Sequence, residues 1–451
     1  MTTTSTTVMT AKVSFDRFGD DLCQLLLQYL PIDDKLRLES VSKQWQSLIF
    51  NTQTDLEFDW KLVKNLSLDS LTDKQISGLF EYIIKNCPNI TTLTIRDIYF
   101  WEILFDLLIK YCLQLRHIYL IPNTTNIQWQ IIEDKFDRFC RQFGQQLMTF
   151  KFHNYCKSNE QFFYKCIDCL PNLKTLDIKY CGISDIQFTD IFTANKSYVL
   201  PKSLQSMSLT LNNFTATLFA KFADTYGQQL TSLDIFINST NYYIDIYESL
   251  ITGFSQMKQL RQLTIKFRRF YIDKLLLATI GRNCRQLKAF YLSYDYFKMD
   301  IIGLIIKTIN KHMSPQLKRL SLKSYHSYDN SDLKLTSGSL NRLNGLTHLT
   351  LWFNDFSIIG DQFFCDIHLN HPRLQYIKCS KVSITDESIA ALGQLAHLTD
   401  VYLWLNNLMK NESYNKQHLL IGTKVKNLSI KYMNSFDKHV FSCGKYFDGH
   451  N

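Results

Sequence analysis

The sequence predicts an α/β solenoid, with short parallel strands lining the inside of a curve and helices outside, preceded by a small three-helix segment. Three observations predict it: an apolar hexad recurring in near-constant phase, a helical period between hexads, and a first stretch of about sixty residues lacking the hexad. Composition agrees. The chain has 451 residues, 45% apolar and 20% charged, with 32 Phe and 24 Tyr, which excludes global disorder. Only 7 Pro and 15 Gly are present, excluding collagen-like and Pro-rich architectures. At roughly 100–200 residues per compact domain, this length implies several domains or one extended array.

The pattern L-x-x-L-x-L, with apolar substitutes, starts at Val63, Ile90, Leu115, Leu147, Leu173, Leu204, Leu230, Leu260, Leu287, Leu317, Leu346, Leu374, Leu398 and Val425. The fourteen starts span 362 residues, about 28 per repeat, inside the leucine-rich-repeat range. The x-L-x-L end alternates, as a strand with one buried face does. Between hexads the period becomes helical: Phe100, Ile103, Leu104, Leu107, Leu108 and Tyr111 recur at i, i+3, i+4, i+7 and i+8, and Phe214, Leu218, Phe219 and Phe222 repeat the theme. One strand and one helix cannot enclose a core, so the repeats must stack, and the bulkier helices bend the stack into an arc.

Two smaller signals accompany the leucines. Cys87, Cys112 and Cys284 sit three residues before the hexad, where Gly144 and Gly227 also fall as expected helix C-caps. Three residues after it come Asn123, Asn212, Asn238, Asn354 and Asn406, with Cys181 once, suited to bond backbone left open at the bend. The expected organisation is a disordered tail over 1–12, a helical head over 13–58, a solenoid of about fourteen repeats over 59–433, and a C-terminal tail or cap over 434–451.

The head reads as three short helices between Phe15 and Phe50. Asp21 to Leu30 carries Leu22, Cys23, Leu25, Leu26, Leu27, Tyr29 and Leu30, an arc near 200° at about 100° per residue. Pro31 ends this helix, Asp33 or Asp34 caps the next, and Leu36, Leu38, Val41, Trp45, Leu48 and Ile49 continue the apolar set. Some forty residues are too few to bury such a surface internally. Either a partner covers it, or the head is itself the cover over the first repeat's open core.

Phe18-Gly19-Asp20-Asp21-Leu22, followed by Tyr29-Leu30-Pro31-Ile32-Asp33-Asp34-Lys35-Leu36 and Val41-Ser42-Lys43-Gln44-Trp45, resembles an F-box. Phe18-Gly19 replaces the usual opening Leu-Pro, and Lys35 stands where a Leu is usual. An F-box ahead of cysteine-containing leucine-rich repeats is similar to the F-box/leucine-rich-repeat family, the substrate receptors of SCF ubiquitin ligases. The resemblance implies a noncatalytic, two-ended adaptor. Its F-box would dock the Skp adaptor, and through it cullin and the RING protein, using Phe18, Leu22, Leu25, Leu26, Leu30 and Pro31. Val41 and Trp45 would hold the three helices together. A scaffold that binds the Skp adaptor without promoting ubiquitination is the alternative.

The substrate end follows from residues alternating with the leucines, which face the concave side. Up to Leu260 these are mostly small or polar: Thr92, Thr175, Asp177, Ser206, Ser208, Thr210 and Ser232. From Leu287 onward they include Tyr291, Trp352, Tyr376, Tyr402 and Trp404, with Arg319, Lys323, His348 and Lys378 between them. Aromatics with cations are the composition of interface hot spots. Repeats nine to thirteen are therefore expected to hold an unidentified protein substrate through Tyr291, Arg319, His348, Trp352, Tyr376, Lys378, Tyr402 and Trp404. Packing of these aromatics on one another, or on a returning tail from Met433 to Asn451, is the alternative.

Other chemistries find little support. His153-x-x-Cys156 and Cys166-x-x-Cys169 have zinc-compatible spacing, but a convex helix and a strand end would have to converge to join them, so no metal is expected. No phosphate loop, zincin motif or nucleophile elbow occurs, and no cofactor or catalytic role is expected. Arg268-Arg269 beside Phe267 and Phe270 reads as a solvated helix start rather than a nucleic-acid patch. The net charge is +9 without a basic run of five, and the concave positions hold eight Lys/Arg against four Asp. That balance is too weak for a phosphate-tracking groove but suits an acidic or phosphorylated peptide. No run of 18 apolar residues and no secretory leader pattern appear, so the expected location is cytoplasm or nucleus, away from membranes, with the 12 Cys reduced.

Overall fold

The computed structural model describes residues 19–66, 72–96, 101–121, 129–153, 169–178, 200–211, 216–238, 244–268, 272, 274–297, 299–313, 315–327, 334–353, 359–405 and 425–432. Phe18, Asn123, Cys156, Cys166, Cys181, Asn212, Phe214, Arg269, Phe270, Asn354 and Asn406, the 1–12 tail and the 434–451 segment lie outside these residues. The chain forms two compact units, one from Met1–Ile183 with Tyr198–Ser203, the other from Ser184–Ser197 with Leu204–Asn451.

The first unit begins with α1 (Asp20–Gln28), α2 (Ile32–Leu38) and α3 (Lys43–Thr52). It continues through β1 (Asp55–Phe58), α4 (Trp60–Asn65), α5 (Asp73–Asn86), β2 (Thr92–Arg96), α6 (Trp101–Tyr111), β3 (His117–Ile121), α7 (Trp129–Phe143), β4 (Thr149–Phe152) and β5 (Thr175–Ile178). Strands β1 to β5 pair in chain order, all parallel. Leucines of successive hexads lie side by side across the ladder: Leu93, Ile118 and Phe150 share one row and are fully buried. Helices supply the other wall of the core, where Phe105, Phe136, Phe139 and Phe143 form a chain of ring contacts 4.8 to 5.4 Å apart.

The second unit alternates β6 (Ser206–Leu211), α8 (Phe219–Tyr226), β7 (Ser232–Asn238), α9 (Ile244–Gln256), β8 (Gln262–Arg268), α10 (Lys274–Asn283), β9 (Ala289–Phe297), α11 (Met299–His312) and β10 (Arg319–Ser327). A 3-10 helix (Ser337–Leu343) leads to β11 (His348–Phe353), then α12 (Asp361–Phe364), α13 (Ile367–Asn370), β12 (Tyr376–Val382), α14 (Asp386–Gly393), β13 (Asp400–Leu405) and β14 (Asn427–Tyr432). These nine strands also pair in chain order and in parallel. Along β7 and β8 buried residues alternate with half-buried ones, so one sheet face meets the helices and the other is open. From β7 to β14, two amides of each repeat converge on one carbonyl of the repeat before it, as Lys288 N and Ala289 N do on Arg261 O at 2.7 and 3.0 Å. Among the described residues no helix is long and apolar enough to cross a membrane.

Thirteen of the fourteen hexads coincide with strands, and the first does not. Val63 is buried in helix α4, while the first strand is Asp55–Phe58, which the sequence reading assigned to the end of the head. The reason is local. Leu56 and Phe58 fill the last two hexad positions, but Gln53 holds the first. Its amide satisfies itself in place, accepting from Lys35 Nζ at 3.0 Å and donating to the Asp55 carbonyl. Phe267 and Arg268 close strand β8 instead of opening a helix. Asn238 sits exposed at the end of β7.

Cys87, Cys112 and Cys284 are buried free thiols at helix ends, as their position before the hexad suggested. Gly227 caps α8 with right-handed backbone, φ −61°, so conformational freedom is not its reason. Space is: a Cβ there would lie 2.4 Å from Ala223 O, and one on Gly144 only 1.8 Å from Cys169 O of the next repeat.

Candidate functional site

Helix α1 divides its apolar residues between two destinations. Cys23 and Leu27 are buried, and α1 packs on α3, whose Trp45, Ile49 and Phe50 are buried too. Gln44 Nε2 donates to Asp20 Oδ1 at 2.7 Å, fastening the start of α1 to α3, and the Ser42 hydroxyl caps α3 by accepting from Trp45 N at 3.2 Å. On the other side Leu22, Leu25 and Leu26 are 42%, 48% and 41% exposed, and Tyr29 is 81% exposed. Leu30 is half-buried and Pro31 exposed, the latter as the N-cap of α2 rather than a mere terminator, with Asp33 and Asp34 inside the first turn. Val41, expected with Trp45 to bind the helices together, is instead 50% exposed, because the turn between α2 and α3 carries it outward, while Trp45 is buried.

The head's remaining sides hold the first repeat. Lys35 reaches Gln53, Asn65 Nδ2 donates to Asp33 Oδ2 at 2.9 Å, and the Arg37 guanidinium donates to the Asn65 carbonyl. Phe50 meets Tyr82 edge-on at 6.0 Å, Tyr82 OH donates to the Glu39 carboxylate at 3.3 Å, and Asn89 Nδ2 donates to the Asn51 carbonyl at 2.8 Å. The head's sides thus differ: α2 and α3 cover the first repeat, while the outer face of α1 stays bare.

The second cluster lies on the open sheet face of the second unit, in three rows set by strand register. Arg319 (β10), His348 (β11), Tyr376 (β12) and Asp400 (β13) follow one another in the first. The second runs Tyr291 (β9), Ser321, Thr350, Lys378, Tyr402. The third holds Phe236 (β7), Lys266 (β8), Ser293, Lys323 and Trp352. Aromatic contacts tie neighbours together: His348 stacks on Tyr376 at 5.6 Å, and Tyr376 meets Tyr402 at 5.5 Å. Arg319 is exposed, whereas Tyr291, Tyr376, Tyr402 and Trp404 are half-buried. All eight residues assigned to the substrate side thus lie on one face, and five of their rings pack on one another as the alternative reading had it.

Trp352 and Trp404 sit on β11 and β13, with β12 between them, about 10 Å apart at strand spacing. Their rings nevertheless meet edge-on at 4.8 Å. A bulge explains this. Pairing of β12 with β13 shifts between Cys379 and Val382, so Ser380 and Lys381 oppose one residue, with Lys381 at φ 50°. Ser380 turns inward and is buried; its hydroxyl donates to Phe353 O at 2.8 Å and accepts from Phe353 N at 2.7 Å. Lys378 leans into the indole pair, its ammonium 5.2 Å from the Trp352 ring centre and 5.3 Å from that of Trp404.

Electrostatics follow burial. Burial, reinforced by Lys378 and Lys266, lowers the Lys323 pKa to about 8, and burial also lowers that of Lys378. Burial pushes Tyr376 up to about 12, with Tyr402 and Asp400 adding to it. His348 is lowered, first by burial and then by Arg319. Asp400 is held below its ordinary value chiefly by the Thr399 hydroxyl, with Asn427 assisting.

Sequence reasoning counted Lys151 among the concave cations but did not single out Tyr119 beside it. In the first unit Lys151 Nζ lies 4.7 Å above the Tyr119 ring, and His117 Nδ1 is 2.9 Å from Thr149 Oγ1. Both Tyr119 and Lys151 occupy outward hexad positions, the same signal that found Tyr291 and Trp352. His153 Nε2 pairs with Asp177 Oδ1 at 2.9 Å. Among the described residues no group of three or more His, Cys, Asp and Glu could hold a metal.

Comparison with known proteins adds the following. Residues 15–53 match the F-box domain model. An internalin (InlF) of Listeria monocytogenes is similar in structure, 14% identical, covering 78% of this chain and 89% of that one with a TM-score of 0.38. A chain of the Rad7 and Elc1 complex in yeast is likewise 14% identical, covering 86% of this chain and 87% of its own, with a TM-score of 0.43. No curated protein matches.

Proposed function

We propose that this chain, an F-box domain followed by leucine-rich repeats, is a noncatalytic substrate receptor of an SCF-type ubiquitin ligase. One observation carries the reading: Leu22, Leu25, Leu26 and Tyr29 stand exposed on the face of α1 turned away from the first repeat. Four large apolar groups on one helix face of a 39-residue match suit a subunit interface better than water. In this reading the stripe, with Leu30 and Pro31 at its end, docks a Skp-type adaptor that connects to cullin and the RING protein. The open face carrying Tyr291, Arg319, His348, Trp352, Tyr376, Lys378, Tyr402 and Trp404 binds the protein substrate.

The chain itself supplies no chemistry. By holding substrate and ubiquitin-charged enzyme on one assembly it raises the effective concentration of substrate lysines. Such an assembly works in the cytoplasm or nucleus, where the thiols stay reduced. Co-purification tests the proposal. The intact chain should bring down both a Skp-type adaptor and cullin, and alanine at Trp352 and Trp404 together should remove substrate capture while leaving that assembly intact. Recovery of the adaptor without cullin would favour a scaffold role, and recovery of neither would overturn docking.

A further inference from the structure

We propose that the open face of β8–β13 takes an acidic peptide segment, seating a carboxylate side chain beside the Trp352–Trp404 pair against the ammonium groups of Lys323 and Lys378. This rests on the receptor reading above and states what its substrate end recognises.

Three observations converge. Lys323 is register neighbour to Trp352, and Lys378 lies over both indoles, so two cations and two aromatic walls share one spot. The row running from Phe236 through Lys266, Ser293 and Lys323 to Trp352 contains no carboxylate. The burial is already in place: Trp352 is 8% exposed, so an arriving anion meets a partly desolvated, preorganised pair of donors. Among the described residues, the charged and titratable groups around Lys323 on this face are Lys266 (β8), Tyr291 (β9), Arg319 on its own strand, His348 (β11), Tyr376 and Lys378 (β12), and Asp400 and Tyr402 (β13). Asp400 is engaged by Thr399 and Asn427 in the opposite row.

A carboxylate fits this spot better than a phosphoryl group. Phosphate presents three strong acceptor oxygens and is typically held by arginine forks or backbone N–H nests. Arg319 stands in another row, and a sheet face offers no backbone donors. A nucleic-acid strand is disfavoured because Asp234 and Asp400 punctuate the same face. An anion would favour the charged form of Lys323, whose pKa is about 8, so binding should weaken as pH rises through that value.

The test uses the full chain to select from a library of random dodecapeptides. Bound peptides should be enriched in Asp and Glu, and the double variant Lys323→Met, Lys378→Met, which keeps the apolar stems, should lose that enrichment with its melting temperature unchanged. For a recovered acidic peptide, affinity should fall about tenfold in the double variant, the scale of a lost charge-assisted contact. It should also fall between pH 7 and pH 9 in the native chain but stay flat in Lys323→Arg. No acidic enrichment, enrichment that survives the double variant, or stronger binding of a phosphoserine counterpart or a single-stranded oligonucleotide would overturn the proposal. Adaptor binding measured on the same preparation keeps the two ideas apart: its loss with peptide selection intact strikes only the docking reading.

Discussion

The double substitution Leu22→Lys, Leu25→Lys probes the bare face of α1 most directly. Both side chains are already nearly half exposed in the chain alone, at 42% and 48%. A lysine stem can lie along the covered half while its ammonium reaches water, so the free head should lose no more than about 1 kcal/mol. Docking is another matter. Full burial of a leucine is worth about 1.5–3 kcal/mol, so the exposed portions of the two together hold about 1.4–2.7 kcal/mol still to be gained. Losing that alone weakens the Kd by roughly tenfold to a hundredfold. Each ammonium trapped in the interface adds several kcal/mol of desolvation, taking the loss beyond about a thousandfold. Titration calorimetry against a purified Skp-type adaptor measures it, with circular dichroism confirming the helices. Affinity within about threefold of the native chain, with the head folded, would refute the docking argument and leave α1 without a partner.

Packing and burial elsewhere in the chain set three further outcomes. Gly144→Ala places a methyl 1.8 Å from the Cys169 carbonyl and should cost about 1–3 kcal/mol, seen as a lowered urea midpoint; an unchanged midpoint would mean the repeats separate there easily. His371 is fully buried and its pKa is lowered by that burial, with backbone of Leu343 and Ser337 pulling the other way. Its contribution to stability is therefore complete above the unfolded value near 6.5 and is lost as pH falls below it, so urea midpoints at pH 7.5 and 5.5 should diverge less in His371→Gln. The Cys87, Cys112 and Cys284 thiols, pushed up to about 12 chiefly by burial, should resist iodoacetamide at pH 8 until the chain unfolds, and rapid native labelling would contradict their packing.

The repeats were readable because the hexad states its own geometry: three apolar side chains at fixed spacing, two of them alternating, leave few ways to be buried. Where one position departs, as at Gln53, the strand disappears from the pattern and a helix such as Trp60–Asn65 can imitate it. The crowding of leucines on α1 announced an unfilled surface, since one neighbouring helix cannot cover so wide an arc. The F-box resemblance named Leu22, Leu25 and Leu26, which are the exposed ones, and left out Leu27, which is buried. Val41 was misplaced because it falls in the turn between α2 and α3, which carries it outward. The outward aromatics were identified one by one from alternation. Their meeting was not, because Ser380 and Lys381 break the alternation that located them.

That irregularity has a wider meaning for how such a receptor end could change its preference. A strand that withholds one side chain creates a recess for its two neighbours, so selectivity here depends on a residue that need touch no cargo. Removing Lys381 would restore even spacing, bring a side chain up between the indoles and fill the gap, altering what the face accepts while leaving every aromatic and lysine of the cluster in the sequence.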